Sequence, residues 1–120
     1  MIVIENIDHV CLAVNDIEKS IEFYRDFFGF DVVEHMSGSP DALLQVGDIR
    51  LKLTSDDGGK NKSNGYVAFY VDEEDFEDAL EEIEENNLTV VSGPDDYRAG
   101  KSIIIQDLSG NRIALCYSKK

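Results

Sequence analysis

The sequence predicts an α+β fold built from two copies of one βαβββ module, with their two sheets side by side and a concave face left between them. Three observations predict it. A stretch of alternating apolar residues is followed by a helical apolar stripe at Ile7–Phe28, and the same succession recurs at Tyr66–Ile83. A twelve-residue segment without one apolar side chain, Thr54 to Gly65, separates the two occurrences. The halves also match residue by residue. His9-Val10-Cys11-Leu12-Ala13-Val14 lies over Tyr66-Val67-Ala68-Phe69-Tyr70-Val71, Phe30–Val33 lies over Leu88–Val91, and Arg50–Leu53 lies over Arg112–Leu115. The expected organisation is one domain over residues 1–120, with module one over about 3–56, a linker over about 54–65 and module two over about 65–118.

Each element has a local reason. In Ile7–Val14, Val10, Leu12 and Val14 alternate with His9, Cys11 and Ala13, the period of a strand. Asn15 offers a helix N-cap, and Glu18 three residues on completes a capping box. Ile17, Ile21, Tyr24 and Phe28 then form one apolar stripe, and Gly29 supplies the left-handed stop. Phe30–Val33, Leu43–Val46 and Ile49–Leu53 read as strands, the last two joined by a tight hairpin at Gly47-Asp48. In the second half Tyr66–Val71 is a strand and Asp72 caps a helix carrying Phe76, Ala79, Leu80 and Ile83. Asn87 takes the place of Gly29. Leu88–Val91, Ser102–Gln106 and Arg112–Tyr117 complete the set, with GPDDYRAG as a loop.

The net charge is −14, which argues against nucleic acid, whose phosphates require basic surface. Ten of the 25 acids lie between Asp72 and Glu85, so the charge reads mostly as one solvated helix face. No apolar run approaches the ~20 residues of a membrane span. The opening MIVIENIDHV has neither a cationic stretch nor a cleavage site, so no secretory signal is expected. Two cysteines, Cys11 and Cys116, make no disulfide framework. A cytoplasmic protein with reduced thiols is expected.

Alternation also nominates site residues. If helices cover the faces carrying Val10, Leu12 and Val14, then His9, Cys11, Arg50, Lys52, Tyr66, Tyr70 and Arg112 line the opposite, concave side. Such a lining suits a small ligand bearing a carboxylate or phosphate, with the two phenols as flat packing surface. Asp8, next to His9, is expected on the other face.

These same segments resemble the vicinal oxygen chelate superfamily, which includes glyoxalase I, bleomycin-resistance proteins, fosfomycin-resistance enzymes and extradiol dioxygenases. The resemblance is carried by IDHVCLAVNDIEKSIEFYRDFFGF, YVAFYV and IIIQDLSGNRIALCY, with Leu108 and Ser109 standing where the family has its proline region. It implies a cupped mixed sheet of two βαβββ modules, a homodimer, and in the family's enzymes a divalent metal held by first and last strands. Carried over, the metal positions fall on His9, Lys52, Tyr66 and Ala114. One imidazole beside an ammonium, a phenol and a methyl falls short of the usual three protein ligands. The expectation is therefore no metal or other cofactor, no catalysis, and a protein that binds a small molecule to sequester or sense it. The alternative is a metal-dependent enzyme: a lactoylglutathione lyase-like lyase or isomerase, a thiol transferase or a dioxygenase.

Overall fold

The structure, a computed structural model, describes residues 1–55 and 65–119. It divides into two compact units, Met1–Lys62 and Ser63–Lys120. Most of the expected linker lies outside the described residues.

The first unit contains β1 (Val10–Ala13), α1 (Ile17–Phe28), β2 (Asp31–Glu34), β3 (Asp41–Val46) and β4 (Ile49–Thr54). Its sheet runs in the order β1-β4-β3-β2, with β1 parallel to β4 and the other pairs antiparallel. The β3–β4 hairpin closes on the Val46–Ile49 pair across Gly47-Asp48, as its spacing predicts. Leu44, Leu51, Leu53 and Ala42 share the buried face, each at most 2% exposed, and Ile21, Phe23 and Tyr24 of α1 are buried with them. Tyr24 meets Phe23 and Phe30 edge-on, at ring-centroid distances of 5.3 and 6.1 Å. Burying each such side chain stabilises the unit by about 1.5–3 kcal/mol.

α1 departs from its expected start. Its N-cap is Asp16, whose Oδ1 accepts from the Lys19 N–H at 3.1 Å, and not Asn15. Glu18 therefore falls inside the first turn, where its carboxylate is free to leave the helix. Gly29 ends α1 at φ 71°, a left-handed conformation that costs glycine little. β1 is also shorter than expected: residues 7–9 precede it without strand pairing.

The second unit repeats the plan with β5 (Tyr66–Tyr70), α2 (Glu73–Glu85), β6 (Val90–Tyr97), β7 (Gly100–Gln106) and β8 (Arg112–Tyr117), ordered β5-β8-β7-β6. Ile103, Ile105, Ile113 and Leu115 are buried, as are Phe76 and Ile83 of α2, and Phe76 meets the Tyr117 ring at 5.2 Å. Asn87 adopts φ 53° just beyond α2, so it does serve as the left-handed stop. The GPDDYRAG loop reading is corrected: Gly93 to Tyr97 belong to β6, which pairs with β7 through two register shifts. β6 is an edge strand exposed along its whole length, so no apolar alternation marks it. Among the described residues no helix is long and apolar enough to cross a membrane.

Candidate functional site

The register places Cys11, Lys52 and Leu43 side by side on the face of the first sheet away from its buried leucines, because Cys11 pairs with Lys52 and Lys52 with Leu43. A cavity of about 710 Å³ opens there. It is lined by Asp8, His9, Glu34, His35, Met36, Ser39, Asp41, Ala42, Leu43 and Lys52, all of the first unit. β3 and β4 supply its floor and the segment between β2 and β3 its side.

Two clusters of polar contacts define it. Around His9, Nδ1–H donates to Asp8 Oδ2 at 2.8 Å, since an ionised carboxylate only accepts. Arg50 Nη1 reaches the other Asp8 oxygen at 3.5 Å. The His9 bond, helped by Arg50, holds the Asp8 carboxyl below its ordinary 3.8. In the neutral ring, Nδ1 so engaged leaves the lone pair on Nε2. Around His35, Nδ1 lies 3.0 Å from the Asp41 carbonyl and Nε2 lies 2.9 Å from Glu18 Oε1. Between the clusters, Lys52 is half-buried and has no ion pair among the described residues.

Of the seven residues nominated by alternation, the structure brings His9 and Lys52 into this cavity and ties Arg50 to it through Asp8. Cys11 is exposed and free but does not line it. Tyr66, Tyr70 and Arg112 lie on the second sheet: Tyr66 pairs with Arg112, and the Tyr70 hydroxyl donates to the Ser118 carbonyl at 3.2 Å. Both tyrosines are about 60% exposed. The placement of Asp8 is a correction. Strand alternation does not reach residues ahead of β1, and there Asp8 turns back onto His9. Glu34, His35, Ser39 and Asp41 were not nominated at all. The Ser-Gly-Ser-Pro turn signal beside His35 marks where the chain folds over but not what it folds onto.

A family model described as Glyoxalase/Bleomycin resistance protein/Dioxygenase superfamily matches residues 6–115. The chain belongs to this superfamily. A relative named metallothiol transferase FosB, from Staphylococcus epidermidis, is 35% identical over 117 residues, covering 93% of this chain and 81% of its own length. A glutathione transferase FosA from Serratia marcescens is 26% identical over 117 residues, covering 93% of this chain and 80% of its own length. Among solved structures, the fosfomycin resistance protein FosX from Listeria monocytogenes, complexed with Mn(II) and sulfate, superposes with a TM-score of 0.82 at 17% identity. It covers 98% of this chain and 93% of that one, and it shows the superfamily's fold.

Three expectations are overturned by these comparisons. The relatives bear the names of transferases, against a binding protein that only sequesters or senses and against the absence of catalysis. The metallothiol name stands against the absence of a cofactor. Donor counting failed because it weighed four positions, whereas the similarity extends over nearly the whole chain. The donors themselves are a separate observation. Among the described residues, no group of three or more His, Cys, Asp or Glu side chains is arranged to hold a metal ion. Tyr66 is a phenol and Ala114 is a buried methyl, 1% exposed. Among the described residues, the donors at these positions do not make up a three-ligand divalent centre.

Proposed function

We propose that this chain is an enzyme of the thiol-transferase kind, joining a low-molecular-weight thiol to a small anionic electrophile, with fosfomycin the first acceptor to try. The observation that carries this reading is the 35% identity to the metallothiol transferase FosB across 93% of the chain. Fosfomycin is an epoxide bearing a phosphonate. In the transfer a sulfur–carbon bond forms, a carbon–oxygen bond of the epoxide breaks, and the thiol proton ends on the released alkoxide. The bond changes balance with the thiol, the epoxide and this chain's own side chains alone, since no three-ligand metal group occurs among the described residues.

The first-unit cavity supports roles for particular residues. Lys52 holds the phosphonate as a point charge, with no competing ion pair among the described residues. His9 takes the thiol proton on Nε2, and Asp8, pinned by Arg50, orients the ring in the way a carboxylate orients a catalytic histidine. Tyr66, Tyr70 and Arg112 are ligand contacts on the sheet of the second unit. The two modules, about 3–56 and 65–118, act as one domain, in a homodimer and in the cytoplasm.

Incubating the protein with fosfomycin and either cysteine or glutathione, in Mn(II) and separately in chelator, and weighing the products by mass spectrometry tests the reading. An adduct formed above the protein-free rate is expected. His9→Gln then lowers kcat about a hundredfold, and Lys52→Ala raises KM about tenfold. No adduct with either thiol in either condition overturns the proposal.

A further inference from the structure

His35 faces two groups that can only accept. The Asp41 main-chain carbonyl carries no proton, and an ionised Glu18 carboxylate carries none either. A neutral imidazole has a single N–H, so it satisfies one of them and leaves the other facing a lone pair. Both contacts are good only when both ring nitrogens carry protons. The side chain is 12% exposed while Glu18 is 67% exposed, so the ring is enclosed and its partner reaches in from solvent. The contacts also join elements far apart in sequence: Glu18 belongs to the first turn of α1, and Asp41 opens β3. The segment between is stitched to itself, since Ser39 N–H donates to the Met36 carbonyl at 2.8 Å and Asp41 N–H to Ser39 Oγ at 3.2 Å. Through Glu18, His35 bonds that stitched segment to the helix.

We propose that His35 is a positioning residue: as a doubly donating imidazolium it ties α1 to the start of β3, holds the segment after β2 as a wall of the first-unit cavity, and lets that wall go as the solution turns alkaline. Glu18 from α1 is the carboxylate that meets the ring. The other charged groups at the cavity are Glu34 from β2, Asp41 from β3, Lys52 from β4, and Asp8 from the segment before β1, the last already paired with His9 and with Arg50. The Glu18 bond above all, then the Asp41 carbonyl, raises His35 above its ordinary 6.5, with burial opposing. A raised value in the folded state means that the tie is fully present below 6.5 and is lost as pH climbs through the higher folded value.

The experiment follows the two imidazole rings of the full chain by NMR across pH, together with the backbone amides of Ser39 and Asp41. Affinity for sulfate, an anion that does not titrate in this range, is measured alongside. The expected result is a His35 midpoint above 6.5, with both amides shifting at that same midpoint and sulfate affinity falling about tenfold across it. Glu18→Gln, which keeps the shape and removes the charge, moves the midpoint and the amide transition down together. A His35 midpoint at or below 6.5 overturns the proposal, and so do amides that ignore it. The sulfate arm rests on the cavity assignment made under the proposed function. No sulfate binding at any pH, with the NMR midpoints as expected, sinks that assignment and supports the tie.

Discussion

The two units share an element order and a sheet topology, yet their helices are held in different ways. α1 is capped by the Asp16 side chain, closed by a left-handed glycine, and packed through Phe23 and Tyr24. α2 has Asp72 at its N-cap, but that side chain makes no cap bond. It carries Glu73, Glu74 and Asp75 in its first turn with no base in its last, and buries only Phe76 and Ile83. The acids at its start favour the helix dipole, but the absence of a base at its end leaves the C-terminal carbonyls without that help. The difference teaches that a duplicated plan fixes where strands and helices go, while the chemistry of each copy is written in positions the plan leaves free. The first copy gathers its ionisable groups into a cavity; the second spreads them over a solvated helix.

The largest expected effect strikes the cores. Tyr24→Ala should cost about 3–5 kcal/mol, as large-to-small aromatic changes do. Urea melting checks the total. Hydrogen exchange should show the first unit losing protection before the second, and uniform loss in both would break the picture of separately packed cores. Next come the helix stops. Gly29→Ala places a Cβ at φ 71° and should cost about 1–2 kcal/mol, whereas Asn87→Gly at φ 53° should be neutral or mildly stabilising. Equal losses at both sites would mean that the two stops are not equivalent in kind.

The cap comparison is finer. Asp16→Ala should cost about 1 kcal/mol, and Asp72→Ala only a few tenths, because no side-chain bond is lost at Asp72. Thermal melts of the two variants decide it. The smallest effect is electrostatic. Asp8, bonded by His9, and Asp96, bonded by Lys101 at 2.8 Å, both sit below the ordinary 3.8. Each therefore contributes stability that is present above 3.8 and lost as pH falls through its lowered value. Both groups are exposed, so carboxyl NMR titration in 1 M salt should return both towards 3.8. If Asp8 alone resists salt, its pair with His9 is more enclosed than its partner's exposure suggests.

Most of the fold was legible because burial on one face forces period two. Leu51 and Leu53 are buried while Arg50 and Lys52 turn away; in β8 Ile113 and Leu115 are buried as expected, but Ala114 and Cys116 between and after them are buried too. β6 escaped because an edge strand exposed on both faces has no such constraint. In the site, Lys52 was legible as a member of the alternating sequence of β4, whereas His9 stands ahead of β1 and reaches the cavity from chain that alternation does not govern. Asp8 and His35 were not legible, since their positions depend on irregular chain before β1 and between β2 and β3, and Asp41 opens β3 two residues ahead of the start at Leu43 that its apolar run predicts. A contact such as Glu18 to His35 spans seventeen residues and leaves no periodic trace. Catalysis was misread for a different reason: missing donors at four positions say what a centre lacks, not what the rest of the chain retains.

The parallel pairing of β1 with β4, and of β5 with β8, puts the last strand of each unit between its first and third. On a ribosome, β1 therefore emerges with no neighbour to join. It must wait for Ile49–Thr54, some forty residues later, before its backbone is matched, and Tyr66–Tyr70 must wait in the same way for Arg112–Tyr117. Each half of the nascent chain should consequently close in one step, when its final strand is released, with the β3–β4 and β7–β8 hairpins acting as the templates onto which the earlier strands dock.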